Sequence, residues 1–322
     1  MGYIVNVKLE KTMNEKLDLV AIAATVKRMI DEQIYSDQGT LYRAGLQKWL
    51  PLMGDAYRES PVKPVRTHLG ASLIGDECSR KLWYSFHWTQ MNYFESRILK
   101  LFNTGHRAEA EFISMLECIG VEVLQQTEDG KQYNFSHSNS HAGGSLDGIL
   151  KNVPYLEDFT VTGEFKTSSD KLFKKLVKGG VQKEKNAHFV QMQVGMEKFN
   201  AQYCVYMCKN KNDDDLYVEI IEHNTYVANH FLDRFDEIVF QDNPPKREFK
   251  SDSATCKYCD FAYLCHLGDT SSVDVNCKSC KHSYPSQHES EASSWICGKY
   301  SCIIPKANAL QGCSKWEMRY LT

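Results

Sequence analysis

Two acidic residues and a lysine occur at a spacing that suits metal-assisted hydrolysis. Asp147 ends the run Gly143-Gly144-Ser145-Leu146-Asp147, and Glu164 and Lys166 lie on the next apolar run. Side chains alternate along a strand, so Glu164 and Lys166 are expected on the same face. Carboxylate oxygens suit Mg²⁺ or Mn²⁺, and such cations assist phosphodiester hydrolysis by neutralising developing charge and supplying hydroxide. The three residues predict a site that cuts phosphodiesters.

Two helical segments flank these strands in the sequence. The upstream segment contains Gly105, His106 and Glu109, and the downstream segment, residues 188–196, contains Gln191. Both have apolar residues at helical spacing. An acid followed by E-x-K is weak alone, because a solvated hairpin with a charge pair gives the same pattern. The ordered helices strengthen the metal-site interpretation.

The ordered set resembles the PD-(D/E)XK nucleases, in particular their RecB-type and phage lambda-type exonuclease branches. There a G-x-x-x-E helix precedes the acidic strand, and a glutamine-bearing helix follows E-x-K. The resemblance implies an α/β fold with a restriction-endonuclease-like core, in which a mixed central sheet is flanked by helices. It also implies metal-dependent cleavage of DNA, with Mg²⁺ or Mn²⁺ as cofactor.

The resemblance assigns roles residue by residue. Asp147 and Glu164 match direct metal ligands, and Glu109 matches the helix acid that holds a metal directly or through water. The Phe165 carbonyl is a further ligand, and Lys166 orients and helps deprotonate the attacking water.

The downstream helix and His106 carry more open assignments. Gln191 matches the glutamine that contacts the catalytic lysine or the DNA backbone, although Gln193 is close enough to compete for this role. His106 is either a partner of the metal ligands or a phosphate contact, or it is an ordinary helix-cap or surface residue.

Twelve cysteines in a chain without an apparent signal peptide or apolar spanning run indicate metal binding rather than disulfides. Cys256, Cys259 and Cys265 have C-x₂-C-x₅-C spacing, and Cys78 is the natural fourth residue. One remote cysteine before the nuclease motifs and three after them resemble the AddB-type and CRISPR-associated iron-sulfur exonucleases. That resemblance implies a [4Fe-4S] cluster, with a four-cysteine zinc site as its rival.

The C-terminal segment is too short to bury much core, and a structural metal is the usual substitute. Cys277, Cys280, Cys297 and Cys313 predict a zinc-ribbon-like Zn²⁺ site. The rivals for its later positions are Cys302, His282 and His288. The remaining cysteines are interpreted as core residues: Cys118, Cys204 and Cys208.

We predict three parts: a helical N-terminal subdomain at 1–68, a nuclease domain at 69–268 and a Cys-rich zinc-binding module at 269–322. Strands are predicted near 121–125, 144–151, 155–167, 201–209 and 216–222, and a helix near 226–240. No membrane segment is predicted, and the expected location is the cytoplasm, that of the host if the protein is phage-encoded.

The net charge of −3 excludes a general polycation, so contact with DNA must be local. A lysine-rich segment interpreted as a loop is the main candidate: Lys171, Lys174, Lys175 and Lys178. We expect a DNA exonuclease of phage or bacterial recombination, with a recombinase or single-strand-binding protein as a further candidate partner. The alternatives are a structure-specific endonuclease using the same site and a DNA-end-binding subunit with minor cleavage.

Overall fold

The computed structural model describes residues 17–53, 65–91 and 93–319. The predicted N-terminal subdomain and zinc module therefore lie partly outside the described residues. None of the helices in these ranges is long and apolar enough to cross a membrane.

Runs of helices and runs of strands follow one another along the described residues. The α-helices are α1 Leu19–Ser36, α2 Thr40–Trp49, α3 Ala71–Ile74, α4 Ser79–Phe86, α5 Ser96–Glu117, α6 Asp170–Gly179, α7 Val181–Glu184, α8 Asn186–Phe199, α9 Thr225–Phe240, α10 Ala254–Lys257 and α11 Ala262–Leu267. The strands are β1 Leu69–Gly70, β2 Glu122–Leu124, β3 Asn134–His137, β4 Ala142–Ser145, β5 Gly148–Lys151, β6 Val161–Ser168, β7 Tyr203–Asn210, β8 Leu216–Glu222, β9 Ser283–Pro285, β10 Trp295–Cys297 and β11 Cys302–Ile304.

A five-stranded sheet of order β2-β5-β6-β7-β8 forms the centre of the molecule. Strands β6 and β7 are parallel, whereas the other neighbouring pairs are antiparallel. Alternate residues of β7 belong to different cores: Val205 and Met207 face one side, and Cys204, Tyr206 and Cys208 face the other. A strand buried on both faces needs helices on both sides of the sheet.

Helices α1 and α5 pack on the Val205 side of this sheet, and α6, α7 and α8 pack on the Tyr206 side. Helix α1 presents Ile22, Val26 and Ile30 to the sheet at intervals of about one turn. Helix α2 packs against α5, where Trp49 donates a 2.7 Å hydrogen bond to Glu117. The predicted mixed central sheet flanked by helices is confirmed.

A smaller sheet of order β1-β4-β3 lies beside this core. Its strand β4 is tightly enclosed, because a Cβ atom added at Gly143 would lie 2.4 Å from the Phe135 carbonyl oxygen. Together with α4 and α9, this region forms a second core that includes Trp83 and Phe235. The β9-β10-β11 sheet of the C-terminal segment contributes Trp295 and Ile304 to the same core.

Three sequence-based expectations about local structure were wrong. The strand predicted near 144–151 is divided between β4 and β5, which belong to different sheets. The strand predicted from residue 155 begins only at Val161, and residues before it form turns, with Tyr155 at a φ of +68°. The lysine-rich segment predicted as a loop is helix α6, which buries Phe173 and Leu176 and exposes its lysines. The spacing of these apolar residues allows one helical face to pack on the sheet.

Lys278 joins the C-terminal segment to the second core. Its ammonium lies 5.0 Å from the ring centre of Phe86, 4.2 Å from that of Trp88 and 4.7 Å from that of Trp295. It also donates a 3.0 Å hydrogen bond to the Thr67 carbonyl. Burial lowers the pKa of Lys278 to about 7. The side chain is therefore a buried anchor despite its position in a C-x-x-C loop.

Replacing Lys278 by alanine should lower the free energy of unfolding by about 2–4 kcal/mol, because it removes a buried side chain and leaves a void between the rings. Lys278→Met should recover most of this loss, since methionine fills the space. Urea unfolding followed by tryptophan fluorescence measures the effect. The exposed Lys306 supplies a matched control, and equal stability of the Lys278→Ala and Lys306→Ala proteins would contradict the anchoring role.

Candidate active site

The register of β5 and β6 places Asp147 beside Glu164. These antiparallel strands pair Gly148 with Gly163, so Asp147, the residue before β5, lies opposite Glu164. Asp147 Oδ2 accepts a 2.7 Å hydrogen bond from the Phe165 amide. This bond holds the carboxylate against the strand that carries the other two polar residues.

Glu164 and Lys166 lie on the same face of β6, and Phe165 points to the other. The Lys166 ammonium forms an ion pair with Glu164 and lies 3.9 Å from Asp147 Oδ2. Glu164 is only 3% exposed. On the opposite face, the Phe165 ring stacks on Phe112 of α5 at 5.3 Å between ring centres. This contact holds α5 in position against the strand that carries the site.

One helix from each side of the sheet contributes a further polar group. Gln191 of α8 donates a 3.1 Å hydrogen bond to Glu164 Oε2. Glu109 of α5 is close enough for its charge to raise the pKa of Lys166. Gln193 is directed elsewhere, since it donates to the Glu222 carbonyl and accepts from the Asn224 amide. The geometry therefore favours Gln191 over Gln193 as the glutamine of the site.

Burial and charge act on Glu164 and Lys166 in opposite ways. Burial raises the pKa of Glu164 to about 7, against the lowering effect of the Lys166 charge. Burial alone would lower the pKa of Lys166, but the charges of Glu164, Asp147 and Glu109 outweigh it and raise the pKa. Lys166 is therefore an ammonium at neutral pH beside these carboxylates.

His188 is a polar residue near the site that the sequence motifs did not identify. Its Nδ1 lies 3.0 Å from the Tyr206 hydroxyl, and burial followed by the charges of Lys166 and Lys185 lowers its pKa to about 3. His188 is thus neutral at neutral pH. Its position three residues before Gln191, on the same helical face, is the signal that could have identified it.

His106, in contrast, lies on α5 one turn before Glu109. Its Nδ1 is buried and makes no hydrogen bond within the described part of the chain. The proposed phosphate contact stays a prediction.

The charge arrangement at Asp147 and Glu164 is relevant to metal binding. Within residues 17–53, 65–91 and 93–319, no group of three or more histidine, cysteine or acidic side chains has an arrangement that could hold a metal ion. The positive charge near the two carboxylates is instead the Lys166 ammonium, which contacts Glu164 and approaches Asp147. These oxygens suit a divalent cation chemically, provided that Lys166 moves away from Glu164.

The first predicted cysteine set joins two distant parts of the chain. Cys78 is the N-cap of α4, and Cys256 lies in α10. Burial raises the pKa of both the Cys78 and the Cys259 thiol, and Cys259 is close enough to Cys78 for its charge to add to the effect on Cys78. Cys265 lies in α11, which packs on the second core, the one that includes Trp83 and Phe235. His266 was not among the ligands predicted from the sequence, but its Nε2 lies 3.3 Å from Cys256 Sγ.

The cysteines of the second set lie in the C-terminal segment, but no three of them are arranged to hold a metal ion among the described residues. Burial raises the pKa of Cys277, and the charges of Cys313, Cys280, Cys297 and Cys302 add to this effect. Cys297 and Cys302 face each other across β10 and β11. Of the two rival histidines, His282 lies 2.8 Å from Glu317 and His288 is exposed. Cys302 thus stays a rival of Cys297 and Cys313.

The predicted DNA-binding lysines occupy helix α6, directly after the strand of Lys166. All four are exposed, namely Lys171, Lys174, Lys175 and Lys178. Lys174 pairs with Asp170 at 2.9 Å, so part of its charge is compensated within the helix.

No family model matches this chain, and no curated protein does. Solved structures with some likeness include LHK-Exo in complex with dAMP, at 15% identity and a TM-score of 0.40 over 60% of this chain and 90% of that chain. The alkaline exonuclease LHK-Exo from Laribacter hongkongensis has 17% identity and a TM-score of 0.38 over 53% and 86%. SSO0001 has 16% identity and a TM-score of 0.37 over 72% and 97%.

Proposed function

We propose that the protein is a metal-dependent DNA exonuclease of the PD-(D/E)XK type with a restriction-endonuclease-like core. The observation that carries the proposal is the meeting of Asp147, Glu164 and Lys166 between β5 and β6. Glu109 and Gln191 approach the same place from helices on opposite faces of the sheet. The DNA substrate is inferred from the motif order and from the exposed lysines of α6.

In this proposal, Asp147 and Glu164 hold Mg²⁺ or Mn²⁺, with Glu109 and the Phe165 carbonyl as further ligands. The bound cation supplies charge neutralisation and a more acidic water. Gln191 holds Glu164 in position through its amide. Once a bound cation neutralises the carboxylates that raise its pKa, Lys166 would release its proton to solvent. The neutral amine would then orient the attacking water and accept a proton from it.

Two further metals belong to the proposal. Cys78, Cys256, Cys259 and Cys265 hold a [4Fe-4S] cluster that joins the two ends of the nuclease domain. Cys277, Cys280, Cys297 and Cys313 hold Zn²⁺ in the C-terminal module. Support comes from the grouping of thiols around Cys277 and from the proximity of Cys78 to Cys259.

The biological setting proposed is DNA end resection or degradation in a phage or a bacterium, in the cytoplasm of the cell. A recombinase or single-strand-binding protein is the proposed protein partner. A DNA-end-binding subunit is the contrasting function, but a binder has no chemical use for Asp147, Glu164 and Lys166 together. An endonuclease would use the same residues and differs in its substrate.

DNA labelled at the 5' or 3' end, and covalently closed circular DNA, should be incubated with the protein and Mg²⁺ or Mn²⁺. We expect linear DNA to be shortened from an end, circular DNA to stay intact, and EDTA to stop the reaction. Cleavage of the closed circle would indicate the endonuclease. Binding to ends without cleavage under all metal conditions would contradict the nuclease proposal.

A further inference from the structure

The segment that leads into the active-site helix exposes large apolar side chains. Tyr93 is 86% exposed, and Phe94 and Phe102 are 37% and 38% exposed. The Phe94 and Phe102 rings pack edge to face at 5.1 Å between centres. We call Tyr93, Phe94 and Phe102 the aromatic edge. Large exposed apolar groups are common singly, but several of them close together in one segment indicate a binding surface.

The aromatic edge is continuous with the candidate active site through one helix. Phe102 precedes Glu109 by seven residues of α5, which is nearly two turns, so the two side chains lie on the same face about 10 Å apart along the axis. Between them, a Cβ atom built at Gly105 would meet no atom of the described residues within 4 Å. Among the described residues, the surface of α5 is therefore uncovered at Gly105, between the aromatic edge and Glu109.

The charge of the segment suits a polyanion. Arg97, Lys100 and Arg107 are exposed, and none of them forms an ion pair with another described residue. Glu95 is the one acidic residue in the sequence from 93 to 107. Aromatic rings interleaved with basic side chains are the combination that binds single-stranded nucleic acid, because rings stack on bases and cations contact phosphates.

We propose that the aromatic edge binds unpaired bases of the DNA strand whose phosphate lies at the active site. This inference rests on the proposed nuclease function and specifies its substrate, a DNA end carrying a short single-stranded segment. The separation of about 10 Å corresponds to about three nucleotides of a strand that keeps the stacked spacing of duplex DNA, about 3.4 Å per step. The bases nearest the cleavage point thus reach Phe102 while their phosphates remain beside the basic residues.

A binding experiment separates base stacking from phosphate contact. Fluorescence anisotropy should be measured for duplexes with a four-nucleotide overhang, either with normal bases or with abasic sites at the same positions, in a Lys166→Met background that prevents cleavage. Overhangs at the 5' and the 3' end are both tested. Phe102→Ala should weaken binding of the base-bearing overhang at least about five-fold, the lower limit of about 1 kcal/mol per stacked base. It should leave binding of the abasic overhang unchanged.

Two variants control for other effects. Tyr35→Ala removes a ring that is 79% exposed on α1 and should not affect either DNA. Phe102→Trp keeps a stacking surface and should bind the base-bearing overhang at least as tightly as the parent protein. A 2-aminopurine in the overhang should also change its fluorescence on binding the parent protein, and this change should be absent with the Phe102→Ala protein.

Equal binding of the base-bearing overhang by the parent and the Phe102→Ala protein would overturn the proposal, while cleavage by the wild-type protein would leave the nuclease function intact. A dimer that Phe102→Ala converts to a monomer would also overturn it, because a second copy would then cover the edge. Loss of affinity for the abasic overhang as well would assign the effect to the fold or to the phosphate contacts, against base stacking.

Discussion

Replacing Lys166 by methionine is expected to lower the rate of DNA cleavage by on the order of 10²- to 10⁴-fold. The ammonium is the cationic group that contacts Glu164 and approaches Asp147, and methionine has similar length but cannot exchange a proton. DNA binding should persist, since the basic residues of α5 and α6 are unchanged. Single-turnover cleavage and anisotropy on the same DNA measure the two properties.

Lys209 provides the matched control for this substitution. It lies on the neighbouring strand β7 and forms its ion pairs with Glu111 and Asp214 rather than with the acids of the site. Lys209→Met should therefore retain cleavage per folded molecule, even where its stability is reduced. If Lys166→Met cleaves DNA as fast as Lys209→Met, the assignment of Lys166 is wrong.

The second large effect is expected from the four cysteines proposed to hold a cluster between distant parts of the chain. Protein purified without oxygen should be brown, with broad visible absorbance from a thiolate-bound cluster, and should also contain zinc. Cys78→Ser should abolish the colour and destabilise the protein by up to about 5 kcal/mol, the scale on which closing a long loop constrains the unfolded chain. Cys280→Ser should remove zinc and retain the colour.

Absorbance, metal analysis and thermal unfolding of each protein measure these outcomes. Cys118→Ser is a suitable control, because the Cys118 thiol donates to the Met115 carbonyl at the end of α5, a bond that serine can keep. A colourless anaerobic preparation with zinc at both places would refute the cluster. It would not affect the nuclease proposal, which depends on Asp147, Glu164 and Lys166.

The parts of the site that could be predicted are local in sequence. Asp147 directly precedes β5, and Glu164 and Lys166 are two residues apart on β6, so strand alternation alone places the last two on one face. Helix α6 could also be predicted from the sequence, because Phe173 and Leu176 have helical spacing. The density of lysines and the glycines that follow them favour a loop instead.

Other features depend on packing that no local pattern specifies. Choosing Gln191 over Gln193 requires knowing which face of α8 lies over β6, and that orientation follows from the contact of α8 with the sheet. The surroundings of His188 depend on Tyr206, which lies on strand β7 and contacts its ring nitrogen. Burial of Lys278 requires Trp88 and Trp295 to lie close to the same ammonium, although they are far apart in sequence.

The position of Lys278 also affects where the chain can be divided. A protein shortened to end at residue 268, the predicted end of the nuclease domain, would lose Lys278 and Trp295 and leave Phe86 and Trp88 uncovered. Newly exposed aromatic surface of this kind promotes aggregation. An inactive shortened protein would therefore report poor solubility rather than a catalytic role for the C-terminal segment, and single substitutions in the full chain are the better way to test that segment.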